Sequence, residues 1–393
     1  MKNKIALLLC LALCSLCLNA QWNRIISGTT KNINAVTFSN SNTVVAVGDS
    51  GLILRSSNAG NSFTPVSSAT MKHLNDVFFL DASNGFAVGD GGTILKTINA
   101  GISWSAIASN TSNDLMSIDI KNNIGLITGS NGTILKSVNN GSAWATLTPF
   151  TIYLLNKVRF VTNDVAVISG SNGLLLKSID AGNNWTIENS SANKNINDFA
   201  FYPNASDILA VGIIGINGLQ ISTDTSFSSI SDTTISAQWL NAAVDVPNTD
   251  TCFTVGKNAT VLFTANGNNW NAITITSTAD LNDIYFVSNT VGIIVGSKGN
   301  IFKTTTGGAS LSAKEIEKIN FNLYPNPSIS FLNITGDFKE NTQLKIYNTS
   351  GQLLIEQIIQ GNSILINHDL PSGMYLLQLI SSEKTGSSLF TVE

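Results

Sequence analysis

One motif returns seven times along this chain. VGDGGTILKTINAGISW, starting at Val88, recurs as VGDSGLILRSSNAGNSF from Val47, TGSNGTILKSVNNGSAW from Thr128 and SGSNGLLLKSIDAGNNW from Ser169. Looser copies start at Val211, Val255 and Val295. Their first glycines, Gly48, Gly89, Gly129, Gly170, Gly212, Gly256 and Gly296, lie 41, 40, 41, 42, 44 and 40 residues apart. Each unit divides into four short apolar runs, such as LNDVFFL, GFAVG, TILKT and the aromatic-led WSAIAS. Gly and Asn stand between the runs, as turns with positive φ require. Four strands in about 40 residues is the pattern of a β-propeller blade.

The chain ends sharpen this expectation. An aromatic follows each glycine by about 15 residues: Phe63, Trp104, Trp144, Trp185, Phe227 and Trp270. The seventh unit runs out at Gly308-Ala309-Ser310 without one. Trp22 opens WNRIIS 26 residues before Gly48, the same interval as Phe63 to Gly89. The N-terminal strand is therefore expected to complete the last blade and close the ring, leaving no sheet edge open to aggregation. The expected fold is all-β: a seven-bladed β-propeller over residues 21–310, closed by the N-terminal strand.

MKNKIALLLCLALCSLCLNA reads as a secretory signal over residues 1–20, with Lys2 and Lys4 ahead of a short apolar run. Cleavage is expected between Ala20 and Gln21. Cys10, Cys14 and Cys17 would leave with it, so Cys252 stands alone and no internal disulfide can form. Its setting, CFTVG, is that of a small buried hydrophobe. No later segment is long and apolar enough to span a bilayer. Charged residues make up 12% of the chain, against roughly 25% in ordinary soluble domains, and the net charge is -4. Nothing here resembles a basic nucleic-acid footprint. Arg24, Arg55 and Arg159 are the only arginines. A monomer is expected.

KSIDAGNNW, with Ser178, Asp180, Gly182 and Trp185, resembles the Asp-box turn of sialidases and other propellers; Asn58, Asn99 and Asn139 replace the Asp in other copies. Either residue can pin the turn by bonding to nearby amides. The longer unit, with GxAVG, GTILKT and NAGxSW, resembles the photosystem II assembly and stability factor family of seven-bladed propellers. That resemblance implies shared architecture. The family's role relies on an Arg-rich surface that three arginines cannot supply.

After residue 310 the pattern changes. Residues 311–318 read as a linker, and 319–393 as a small C-terminal Ig-like β-sandwich of alternating apolar strands. Tyr324-Pro325-Asn326-Pro327, the run IYNTSGQLL with Gly351, and LPSGMYLLQL with Gly373 and Tyr375 resemble the type A sorting domain of the type IX secretion system of Bacteroidota. The resemblance implies export to the outside of the cell, with the secretion machinery as a partner.

Chemistry is sparse. VGDGGT is no phosphate cradle, because a strand and not a helix follows its glycines. Sialidase chemistry implies an arginine triad, which is missing. Asp76, Asp198 and Asp283 share one column, in NDVFF, NDFAF and NDIYF; turn capping is the leading expectation, with a pair lining the pore as the alternative. His73 and His368 are the only histidines and fall in different domains, so no metal or cofactor is expected. Arg55, Lys96, Lys136, Lys177 and Lys303 repeat on the third strand of five units. They are read as long solvated side chains, or else as a ring of positive charge forming a candidate ligand-binding site. The expected function is a non-catalytic extracellular binding or scaffold module for a protein or glycan. The alternatives are a polysaccharide-acting enzyme and an envelope assembly factor.

Overall fold

The computed structural model describes residues 22–149, 151–188, 194–201, 207–212, 216–221, 227–229, 239–265, 270–309, 317–381 and 384–393. Signal residues 1–20 and the cleavage pair Ala20 and Gln21 lie outside them. Side chains between 202 and 238, Phe227 among them, are likewise outside the description. Two compact units divide the chain, 1–310 and 311–393.

The first unit is all-β and propeller-like. Among the described residues it holds seven four-stranded antiparallel sheets. Sheets 1 to 6 follow sequence order from the inner strand outward, as in sheet 2: Leu74–Phe79, Gly85–Gly89, Thr93–Thr97 and Ser105–Ile107. Sheet 7 takes its outermost strand from the other end of the chain. Asn23–Ile26 pairs antiparallel with Asn300–Thr304, matching Asn23 to Lys303 and Ile26 to Asn300. Trp22 is buried there, edge-on to Phe253 and Phe286, and its indole reaches Gly308. Sheet 7 also packs on sheet 1, through the inner strands Leu281–Phe286 and Ile33–Phe38.

The second strand of each sheet is largely apolar on both faces because neighbouring sheets cover it; Gly85–Gly89 and Cys252–Gly256 are buried throughout. Aromatics wedge between sheets. Trp104 packs with Val45 and Val47 of sheet 1, and Trp144 lies edge-on to Phe86 of sheet 2.

The first glycine of each unit turns out to serve a different purpose from the one expected. Gly89 has φ -171, an extended backbone open to any residue. What requires glycine is space: a Cβ there would sit 2.0 Å from the carbonyl oxygen of His73. Equivalent approaches hold at Gly48, Gly129, Gly170, Gly256 and Gly296, and Gly212 pairs with Ile196 in the same register. Positive φ falls two and three residues later, as at Gly91 and Gly92.

The second unit is a six-stranded sheet over a single core that includes Leu332, Ile346, Leu377 and Phe390. Its longest strand, Phe331–Asn348, changes register between Thr335 and Thr342. The first half pairs with Phe321–Tyr324 and the second with Gly373–Ile380. Asn326 accepts hydrogen bonds from the amide and hydroxyl of Thr391, which pins the sorting motif to the last strand. Tyr375 stacks on Phe390 and donates to the carbonyl of Pro371. Gly351, at φ +83, completes a turn in which Asn348 accepts the amides of Ser350 and Gln352.

Candidate functional site

The seven inner strands surround a channel, and their repeat positions determine what lines it. Each inner strand carries a β-bulge at its second residue. That residue is Asn34, Asn75, Met116, Asn156, Asn197, Asn241 or Asn282. The bulge swings the side chain across to the next sheet. Each Asn donates from Nδ2 to the carbonyl of the next inner strand's first residue, at 2.8–2.9 Å: Asn34 to Leu74, Asn75 to Leu115, Asn156 to Ile196, Asn197 to Leu240, Asn241 to Leu281, and Asn282 to Ile33. The last of these bonds joins sheet 7 back to sheet 1. Met116 cannot donate, so the belt has one gap.

The next position holds Asp76, Asp198 and Asp283. They cap no turn; they line the channel and clamp sheets together. Asp76 accepts the Val77 amide on Oδ1, and the Ile118 amide and Ser117 hydroxyl on Oδ2. Asp198 takes the amides of Phe199 and Ala243, and Asp283 those of Ile284 and Val36. Asp119 clamps the Phe160 amide two positions further along, at 2.6 Å.

Sheet 4 brings in the cations. Lys157 Nζ lies 3.5 Å from Asp76, across the channel in sheet 2. Arg159 is 3.5 Å from Asp198, donates to the carbonyl of Ala243 and approaches Asp245 at 3.9 Å. Its guanidinium also sits over the Phe199 ring. Two cations thus face five carboxylates. Burial, with Asp76 and Asp198 nearby, pushes the Asp283 carboxyl up to about 7, against the pull of Lys157 and the Val36 amide. Burial also raises Asp119, despite its bond from Phe160 and the nearby Arg159.

Two cavities open on this channel. One, of about 230 Å³, is lined by the Asn belt, Met116, Lys157 and the three aspartates. The other, of about 270 Å³, holds Asp119, Arg159, Asp245, Phe78, Pro247 and Tyr285. The sequence marked the Asp column. It did not mark the Asn belt, although asparagine at a fixed place in six of seven units was a visible signal.

The basic column is placed between sheets, not free in solvent. Arg55 donates to the Ala100 carbonyl of sheet 2's Asp-box loop, Lys136 to Asn183 of sheet 4's, and Lys303 to Asn61 of sheet 1's. Lys177 and Lys303 are each only 6% exposed, and Lys96 lies over Phe86. Arg55, Lys136 and Lys303 thus each brace a neighbouring loop.

The Asp-box itself is a local turn. Asp180 accepts the amides of Asn183 and Asn184 and the Ser178 hydroxyl; against the opposing effect of burial, these bonds hold its carboxyl down at about 2. Cys252 is fully buried, and burial lifts its thiol to about 12, far from a nucleophile's range. His73 contacts Asp49 on the surface. His368 is buried 2.7 Å from Ser328, whose hydroxyl donates to the Phe331 carbonyl. The Leu370 amide donates to Nδ1 of His368, which ties the ring to its own strand end. Among the described residues no His, Cys, Asp and Glu grouping can hold a metal ion, and no helix is long and apolar enough to cross a membrane.

Comparison with known proteins agrees with both units. Residues 322–393 match the family described as the secretion system C-terminal sorting domain. Residues 61–150 match the photosynthesis system II assembly factor YCF48 family. The chain is a secreted or cell-surface protein of Bacteroidota type, exported by the type IX secretion system. No curated relative matches it. Among solved structures it is similar to YCF48 bound to D1 peptide, at 18% identity and TM-score 0.62, covering 72% of this chain and 95% of that one. It is similar to PorZ, an essential surface component of the type IX secretion system of Porphyromonas gingivalis, at 14% identity and TM-score 0.57. That match covers 91% of this chain and 59% of PorZ. A streptogramin B lyase is also similar, at 13% identity and TM-score 0.63, covering 73% of this chain and 98% of that one. At these identities the likeness is one of fold, and it spans a peptide-bound protein, a secretion-system component and a lyase alike.

Proposed function

We propose that this chain is a non-catalytic, monomeric seven-bladed β-propeller, displayed outside the cell, that binds a segment of another protein at one end of its disc. Its 319–393 region, read as a small Ig-like sandwich, serves export through the secretion machinery. Seven four-stranded sheets, and the strand Asn23–Ile26 completing the seventh, support the seven-bladed reading.

The observation that carries the non-catalytic reading is the state of the channel carboxylates. Asp76, Asp198 and Asp283 each engage both oxygens with backbone amides of two sheets. A general acid or base must be free to move a proton at a substrate atom, whereas these groups are held in place as clamps. The fold neighbour bound to a peptide supports a protein segment as the ligand. The channel end where the inner strands begin offers it the asparagine amides together with exposed Met71 and Ile152.

The test is to tag the exported protein, crosslink whole cells of a type IX-secreting host, and identify bound partners, while screening the purified protein against a glycosidase-substrate panel. A specific protein crosslink with no turnover is expected. Turnover that disappears in an Asp198→Asn variant would overturn the reading.

A further inference from the structure

The Asn belt has a chemical consequence beyond holding sheets together. An amide side chain that gives its Nδ2 hydrogen to a neighbouring carbonyl must turn its oxygen elsewhere. In Asn34 and Asn75, Nδ2 also points to Asp49 and Asp90, so the amide nitrogen faces the disc on both counts. None of the six belt oxygens receives a hydrogen bond from another described residue, and all six residues line the 230 Å³ cavity. Six acceptors therefore ring the mouth of the channel, with Asp76, Asp198 and Asp283 in the layer below. The one protein cation in that cavity, Lys157, is already drawn to Asp76.

At the gap in the belt, Met116 supplies an unbranched, polarizable apolar wall. Loops entering the inner strands lie at this same end, because the first residue of each inner strand pairs with the glycine that ends the second. Three of those loops expose apolar side chains: Met71 is 79% accessible, Ile152 84% and Trp239 41%.

We propose that this mouth binds a primary ammonium group on an alkyl stem, the ammonium held by the amide oxygens over the aspartates and the methylenes lying along Met116. An ammonium has three donors and no acceptor, which suits a ring of acceptors short of positive charge. A cavity of this volume, 230 Å³, has room for about seven waters at about 30 Å³ each, or for one aminoalkyl chain in their place. The lysine side chain of a peptide and a free diamine share this chemistry. The proposal builds on the binding-module reading and names the group that would be recognised.

The test uses the mature full chain, with calorimetry and thermal shift against 1,5-diaminopentane, a lysine-bearing peptide and the same peptide acetylated on its amine. Binding of the diamine or of the free-amine peptide, lost on acetylation, is expected. Tight binding of the peptide alone identifies a protein source, and tight binding of the diamine a small-molecule source; either supports the proposal. Met116→Lys places a cation in the gap, keeps every Asn-to-carbonyl bond of the belt and gives up only the contact of Asn75 Nδ2 with the Met116 sulfur at 3.7 Å. It should fold as the parent does and weaken amine binding at least tenfold, as should Asp283→Asn. Absence of amine binding, equal binding by acetylated peptide, or full affinity in a folded Met116→Lys protein would each overturn it. A protein partner captured from cells whose binding ignores Met116→Lys would leave the binding module standing and remove only the ammonium site.

Discussion

Trp22 donates its indole N–H to the carbonyl of Gly308, 3.1 Å away and 286 residues later in the chain. A Cβ on Gly308 would press into that indole at 2.6 Å, so the two residues fit only as this pair. Together they seal the last sheet with the first strand.

Trp22→Ala should therefore cost about 3–5 kcal/mol, the usual range for emptying a buried aromatic site. Deleting residues 22–27 should cost more, since the pairing to Asn300–Thr304 goes as well. Differential scanning calorimetry of the two variants checks this. An unchanged melting temperature in the deletion would mean that the strand is not what closes the ring.

Gly89→Ala separates two explanations of the repeat glycine. Were conformational freedom the reason, alanine would be harmless at φ -171. Because the added methyl would meet the His73 carbonyl at 2.0 Å, a loss of about 1–3 kcal/mol or more is expected, as for other overpacked sites. Urea unfolding of the variant gives the number.

Asp283 should make stability depend on pH. Its carboxyl titrates near 7 in the folded protein and near 3.8 in an unfolded chain, so the native state holds the proton more tightly between those values. Stability from this group is accordingly full below about pH 4 and falls as pH rises to 7. Asp283→Asn keeps an acceptor for the Val36 amide and removes the ionisation. It should flatten that slope and stabilise the protein at pH 8 by about 1–3 kcal/mol. Chemical denaturation at pH 5 and pH 8 would detect it, and a slope unchanged by the substitution would contradict it.

Removing residues 319–393 should leave the first unit folded, since the two units have separate cores. The truncated protein should accumulate in the periplasm and be absent from the cell surface and medium. Fractionation with immunoblotting decides this; surface display without the tail would rule out its sorting role.

Much of the fold was legible because repetition multiplies a weak signal. One VGDGGT says little, but seven at even spacing specify four-stranded units, and the missing seventh aromatic pointed to Trp22. The channel was harder to read. Asp76, Asp198 and Asp283 stood out as a column, but turn capping and pore lining look alike in a linear string. Only the bulge at Asn75 and its equivalents shows which way the next side chain faces. The basic column misled for the same reason: alternation along a strand separates two faces, yet in stacked sheets both faces are covered. Arg55 and Lys303 therefore extend to a neighbouring loop. Lys157 and Arg159 carried no repeat signal, because sheet 4 alone has cations at those positions.

That departure from repetition matters for anything approaching along the axis. Identical sheets would offer a visitor seven equivalent headings and so no orientation at all. Met116 in sheet 3, with Lys157 and Arg159 in sheet 4, gives the disc a north. A chain segment arriving at the mouth can be held in one rotational setting, and the adjoining loops then meet defined parts of it.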